Sequence, residues 1–135
     1  MAYTGTVSII PKGSLAWDVV ITETECGASS EVELVDSTTG AKLPAGVWLQ
    51  RVIATRSAGT ATTRQPRLGV AAAATASQIR YLATATAVGT TIDEAARTNM
   101  PVSLMGPRLF HRSIPDAGSD NSFTTIYTVT RRASA

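Results

Sequence analysis

The chain has 135 residues, a net charge of +2, one cysteine and one histidine. This length fits one domain with a core of its own, and we expect residues 1–135 to form it. Ala, Thr, Ser and Gly supply 63 residues and charged residues only 16%, which argues against a heptad coiled coil and against a charged disordered tail.

Alternating polar and apolar residues predict strands from the N-terminus onward. The first strand covers Tyr3–Ile10, and the second covers Leu15–Thr24 with Val19 and Ile21 on one face. A short loop containing glycine leads to a third alternating run, Glu31–Asp36. This spacing predicts that the second and third runs form a hairpin.

The middle of the chain has the densest apolar run, Val47–Arg56. Simple alternation places Trp48, Val52 and Ala54 on one face and Val47, Leu49 and Ile53 on the other. A strand that is apolar on both faces lies in the centre of a sandwich or faces a partner. Trp48, like Trp17, is therefore either a core residue or an anchor at an interface.

The remaining segments predict further strands and one helix. Ser57–Arg67 is polar and interrupted by proline, which indicates a loop or an edge strand. Thr91–Arg97 begins with a capping residue and has Glu94 three positions later, so it predicts one short helix. Polar and apolar residues alternate from Phe123 to Arg131, which predicts a final strand. The regular turns predict an all-β fold, an antiparallel β-sandwich or barrel that is jelly-roll-like.

Charge is unevenly distributed along the chain. Residues 1–40 have a net charge of −5 and residues 41–112 a net charge of +7, and ten of the twelve cations are arginine. Arginine is the cation of fixed contacts at interfaces, whereas lysine more often remains solvated. The predicted protein-interface residues are Arg51, Arg56, Arg64, Arg67, Arg108, Arg112 and Trp48. Ordinary solvated faces are the alternative interpretation.

Few residues offer chemistry for catalysis or cofactor binding. His111 is the only histidine, and Ser113 on the same strand face lies roughly 6.5 Å away at the backbone. No nucleophile elbow and no phosphate-binding glycine loop is present. One cysteine and one histidine cannot supply the four ligands of a zinc site. We predict that the protein is not an enzyme and uses no cofactor, with His111 in a structural role.

The acidic and basic residues suggest two further kinds of ligand. The predicted hairpin brings Glu23, Glu25, Glu31 and Glu33 near one another. Such a group binds a hard cation, forms a solvated acidic face or accepts arginine side chains. The arginines suggest a phosphate-binding patch, but the interleaved aromatic residues of nucleic-acid modules are scarce, so no direct nucleic-acid binding is expected.

The N-terminal segment has neither the basic region nor the apolar run of a signal peptide. No stretch approaches the roughly 20 apolar residues of a membrane span. We therefore expect a protein without membrane contact. A single cysteine also forms no internal disulfide, which favours assembly in a reducing cytoplasm.

Three segments carry a resemblance to a known class of proteins: Ala16–Thr24, Ser57–Thr63 and Leu109–Asn121. They resemble small all-β virion proteins encoded in tailed-phage structural modules, most of all the head decoration (cement) proteins. The resemblance implies a module on the capsid exterior that binds the major capsid protein and further copies of itself, often as a trimer. It also implies contact through extended N-terminal arms and loops, for which residues 1–14 and 57–67 are the candidates here.

The sequence thus favours a virion protein that stabilises the capsid by clamping adjacent subunits. A tail, neck or fibre-associated β-module of a phage particle is the alternative. A small enzyme or carbohydrate-binding domain is a third hypothesis, which the scarcity of aromatic residues weakens.

Overall fold

The computed structural model describes residues 2–44, 47–64, 67–69, 79–80, 86–87, 92–93, 102–104 and 109–131. Within these residues all regular structure is β-strand, and every strand pairing is antiparallel. The strands are β1 (Thr4–Pro11), β2 (Ala16–Cys26), β3 (Val32–Glu33), β4 (Val47–Ala58), β5 (Thr63–Arg64), β6 (Arg67–Gly69), β7 (Ile79–Arg80), β8 (Thr86–Ala87), β9 (Ile92–Asp93), β10 (Val102–Leu104), β11 (Phe110–Arg112) and β12 (Asn121–Arg131). The predicted all-β antiparallel class is confirmed.

Most of the strands belong to two sheets. The first has the order β1-β2-β12-β4-β10, and β9 also pairs with β4. The second has the order β3-β11-β6-β7, and β5 pairs with β8 separately. In the described strands β1 and β10 lie at opposite ends of the first sheet, so this sheet is open and does not close into a barrel.

The core lies where the first sheet faces the second. Along β12 every second side chain from Asn121 to Val129 is buried, as strict alternation predicts. Buried residues of the first sheet, such as Ile21 and Val129, belong to one apolar cluster with Leu68 of β6. The fold is therefore a sandwich in which one face of each sheet is buried.

A β-bulge in β4 changes which residues point into the core. Leu49 and Arg51 pair with consecutive residues of β12, so Gln50 is an extra residue in β4. Beyond the bulge, Val52 is buried, as Leu49 is, whereas Trp48 is only partly buried. The prediction that Val52 shares a face with Trp48 is therefore wrong.

A second bulge lies near the end of β2. Glu23 pairs with Phe123 and Cys26 with Asn121, so β2 has one more residue than β12 in this interval. Glu25 within it has a φ of 52°, in the left-handed region. The bulge allows Glu23 and Cys26 to be fully buried although they are an odd number of residues apart.

Two local predictions need correction. The predicted hairpin between Leu15–Thr24 and Glu31–Asp36 is wrong, because β2 pairs with β1 and β12 while β3 pairs with β11 of the second sheet. Of the helix predicted at 91–97, Ile92 and Asp93 instead form β9 against β4, and the rest lies outside the described residues. The short loop between the two runs favours a hairpin. The face that each strand buries nevertheless determines which sheet it joins.

The N-terminal segment 1–14, predicted as a candidate arm, contains β1. This strand pairs with β2 over its full length, from Thr4 with Thr24 to Pro11 with Trp17. In the isolated chain it is an edge strand of the first sheet.

The turn before β12 is fastened to the segment after β4. The backbone N–H groups of Thr60, Ala61 and Thr62 donate to Asp120 (3.3 Å), Asn121 (3.0 Å) and Asp116 (2.8 Å), respectively. Three successive backbone donors are thus satisfied by side chains from one turn. The fastening fixes the start of β12, the strand that lies between β2 and β4.

Candidate functional site

A buried polar network connects the two sheets. Glu23 of β2 and Tyr127 of β12 point inward from the first sheet, and His111 of β11 points inward from the second. All three have no exposed surface. The Nε2 atom of His111 lies 2.9 Å from Oε1 of Glu23, and its Nδ1 atom is hydrogen-bonded to the Tyr127 hydroxyl.

Four side chains surround the carboxylate of Glu23. Oε1 accepts from the Ser113 hydroxyl at 2.5 Å and faces Nε2 of His111. Oε2 accepts from the Tyr3 hydroxyl at 2.7 Å and from the Cys26 thiol at 3.6 Å. A buried carboxylate is stable only when donors occupy its oxygens, and this arrangement meets that condition.

These partners also constrain the hydrogen positions on the His111 ring. A carboxylate only accepts, so Nε2 carries the hydrogen and donates to Glu23. Nδ1 shares the second hydrogen bond with the Tyr127 hydroxyl, and either group can act as the donor. The histidine therefore links a carboxylate of β2 to a phenol of β12 from the opposite sheet.

The network shifts two pKa values in opposite directions. Burial on its own raises the pKa of Glu23, but the charge of His111 and hydrogen bonds from His111, Ser113 and Tyr3 outweigh it, and the pKa is lowered to about 2. Burial and the negative charge of Glu23 raise the pKa of the Tyr3 hydroxyl well above its ordinary value. Tyr3 thus stays a donor and Glu23 an acceptor through the neutral pH range.

Ser113, His111 and Glu23 are the residue types of a nucleophile, a base and an acid, and Ser113 Oγ lies 2.8 Å from Nε2 of His111. The backbone separation that argued against this contact is bridged by side chains on one strand face. In a hydrolytic triad, however, the acid binds the ring nitrogen that the serine does not use. Here Glu23 and Ser113 share Nε2, and all three residues are fully buried. This arrangement differs from that of a hydrolytic triad.

The structure places the four carboxylates of the predicted acidic group in different surroundings, although the charges of both Glu23 and Glu31 act on the Tyr3 hydroxyl. Glu23 is buried and bound by His111, Glu25 lies in the bulge, and Glu33 pairs with Phe110 in the second sheet. Glu31 lies before β3, which joins the other sheet. Among the residues that the structure describes, no group of three or more His, Cys, Asp or Glu side chains is arranged to hold a metal ion.

The predicted interface residues occupy separate places in the fold. Trp48 and Arg51 lie in β4 of the first sheet, Trp48 partly buried and Arg51 exposed. Arg112 is partly exposed in β11 and donates to the carbonyl of Ala28. At the level of the backbone, Arg67 of β6 pairs with Arg112.

The predicted interface includes three further arginines. Arg56 lies in β4 opposite Phe123, and Arg64 lies in β5 opposite Thr86. Arg108 lies outside the described residues. The described strand positions of the predicted interface are divided among the first sheet, the second sheet and the β5–β8 pair.

One signal of the buried network was present in the sequence. In the alternation of β2, Glu23 is in phase with the inward residues Val19 and Ile21, which is an unusual position for a carboxylate. The local pattern does not indicate that Tyr3 contacts Glu23 or that Tyr127 contacts His111. These residues come together only through sheet pairing.

Comparison with protein-family models, with curated proteins and with solved structures finds no match to this chain. Within the part of the chain that the structure describes, there is no helix long and apolar enough to cross a membrane.

Proposed function

We propose that the protein is a structural component of a tailed-phage particle that binds the outside of the capsid and clamps adjacent capsid subunits. Its partners in this proposal are the major capsid protein and further copies of itself in a trimer. It acts by contact, without turnover of a substrate. A tail, neck or fibre-associated module is the alternative location in the particle.

The observation that carries the proposal is the burial of the His111 network. His111, Ser113 and Glu23 have the groups from which a hydrolytic site is built, yet they have no exposed surface. Their polar atoms bond to one another and to Tyr3 and Tyr127. Such a network holds two sheets in one arrangement, and a rigid module suits a clamp.

The face of the first sheet that points away from the core also supports contact. On this outer face, one row across four strands consists of Thr6, Thr22, Thr124 and Thr55. The next row contains Val20, Ile126 and Ile53. Short and branched side chains lose little conformational entropy when a partner covers them.

Arg51 supplies an exposed cation on this face. It pairs with Thr128, whose hydroxyl donates to Asp18 at 2.9 Å on the neighbouring strand. An arginine beside small side chains suits contact with a carboxylate on a flat protein surface.

The proposal is tested by co-sedimentation of the purified protein with capsids of the phage that encodes it. We expect saturable binding to heads, and Arg51→Glu should weaken it about tenfold, equivalent to about 1.4 kcal/mol. The loss should shrink as salt is raised, because exposed charges are screened. Lys42→Glu makes the same charge change at another exposed position and should leave binding unchanged.

Three outcomes would count against the proposal in different ways. Binding to tails but not to heads would favour the tail, neck or fibre module. No binding to any particle fraction would overturn the structural role. Equal losses for Arg51→Glu and Lys42→Glu would remove the outer face from the proposed contact.

A further inference from the structure

β1 is an edge strand of the first sheet, and the backbone N–H and C=O groups of successive residues point alternately toward β2 and away from it. β2 takes one set of N–H and C=O groups, and the other set, from Gly5, Val7, Ile9 and Pro11, points away from the sheet. An edge of this kind is a template for pairing with a strand of another chain.

The turn 36–40 occupies the middle of this edge. The Val7 N–H donates to the Ser37 hydroxyl at 2.8 Å, and the Ser37 N–H donates to the Val7 carbonyl at 2.8 Å. The Ile9 N–H donates to Oδ2 of Asp36 at 2.9 Å. Three of the hydrogen bonds that a neighbouring strand would form are therefore already made.

The end of the edge at Pro11 is limited in a different way. Pro11 has no N–H to donate to a neighbouring strand. Val7 and Ile9 are thus occupied by the turn, and Pro11 lacks a donor.

The turn is itself held in place by Asp36. Its Oδ1 atom accepts from the backbone N–H groups of Thr38 and Thr39, each at 2.9 Å. Its carbonyl accepts from the Gly40 N–H at 2.9 Å, where Gly40 has a φ of 74°. One carboxylate therefore fastens the turn with one oxygen and covers Ile9 of β1 with the other.

We propose that the turn 36–40 is an edge guard, which prevents β1 from pairing with β1 of a second copy of this chain. The strand needs such a guard because its own sequence offers little protection. Thr4–Pro11 has no charged residue and contains Val7, Ile9 and Ile10. Uncharged segments of β-branched residues at an open edge are prone to intermolecular pairing. The guard does not depend on the proposed capsid role.

The test removes the guard and leaves the strand intact. In Asp36→Ala/Ser37→Ala the side-chain acceptors for Val7 and Ile9 are gone. Sedimentation velocity over a concentration series should show the weight-average mass of the double variant rising to at least twice the parent's. The matched variant Ser37→Thr keeps the Asp36 carboxylate and a hydroxyl at position 37, and Thr38→Ala changes an exposed side chain of the same turn. Both should behave as the parent.

Amide hydrogen exchange gives a second readout at the strand itself. In the double variant at low concentration, the Val7 and Ile9 amides should exchange at least tenfold faster than in the parent, and protection should return as the protein associates. A folded double variant with unchanged mass at every concentration would overturn the proposal, whether or not its amides exchange faster. If the double variant fails to fold, the single variant Ser37→Ala is judged by the same criteria.

Discussion

Glu23 lies in the core as an anion because donors from four side chains surround its two oxygens. Glu23→Gln keeps the size of the side chain but replaces one acceptor oxygen with an NH₂ group among donors. We expect this variant to lower the free energy of unfolding by about 2–4 kcal/mol, as for other buried groups deprived of a partner. Urea denaturation followed by tryptophan fluorescence measures the change.

Glu25→Gln is the matched control for this prediction. Glu25 lies two residues away in the same strand and is only partly buried, so the same chemical change should alter stability by less than about 0.5 kcal/mol. Equal effects at the two positions would mean that the buried network contributes nothing special to the fold.

The lowered pKa of Glu23 predicts how stability depends on pH. The pKa is about 2 in the folded chain against an ordinary value of 4.5. Between these values the unfolded chain binds more protons, so stability falls as the pH drops through this window. Denaturation of the parent at several pH values from about 5 to about 2 should show this loss, and Glu23→Gln should show a smaller slope.

Asp36 contributes to the same pH window and must be separated from Glu23. Backbone hydrogen bonds from Ile9, Thr39 and Thr38 lower the pKa of Asp36 to about 2. Glu23→Gln retains this contribution, so the difference between parent and variant isolates Glu23. A difference that does not vary with pH would show that the Glu23 pKa is unshifted.

At the scale of the elements, the fastening between 59–62 and 116–121 requires a glycine at position 59. Gly59 has a φ of 129°, and a Cβ there would lie 2.6 Å from the Asn121 Cα. Gly13 has nearly the same φ, 127°, but a Cβ there would meet nothing within 4 Å. Both alanine variants carry the strain of this backbone conformation, and only Gly59→Ala also displaces Asn121.

We therefore expect Gly13→Ala to destabilise the protein by about 1 kcal/mol, and Gly59→Ala by at least about 2 kcal/mol more. Thermal or urea denaturation of the two variants measures the difference directly. Similar losses would mean that the loop and the turn move apart easily, and that the fastening does not constrain β12.

The same elements show what the sequence predicts and where it fails. In β12 the alternation continues without interruption, and the buried face is predicted for Phe123, Tyr127 and Val129. In β4 it fails beyond Gln50, because a bulge shifts the phase by one residue and leaves no marker in the sequence. Alternation thus predicts a face only as far as the next bulge.

At the scale of the whole molecule, strands are predictable from local pattern but their partners are not. β2 and β3 are neighbours in the chain, yet they pair in different sheets. The buried network joins Tyr3, Glu23, His111 and Tyr127 from separate strands and segments. The position of Glu23 in phase with Val19 and Ile21 identifies one member of the buried network. The other members are identified only once the strand pairing is known.

The thiol of Cys26 reports whether the two sheets and the buried network unfold together. Cys26 is fully buried, so an aromatic disulfide reagent should label it at least about 1000-fold more slowly in the native protein than in denaturant. Val129 of β12 is also buried. It pairs with Trp17, whereas Cys26 pairs with Asn121 at the other end of the strand. Val129→Ala should lower stability by about 2 kcal/mol.

If the sandwich opens as one cooperative unit, the labelling rate of Cys26 in Val129→Ala should rise about tenfold for each 1.4 kcal/mol lost in urea denaturation. The reason is that the thiol would become reachable only in the globally unfolded chain, wherever the destabilising change is made. A labelling rate equal to the parent's would instead show that the end of β2 opens locally. In that case the His111 network next to Cys26 would not hold the two sheets together as one unit.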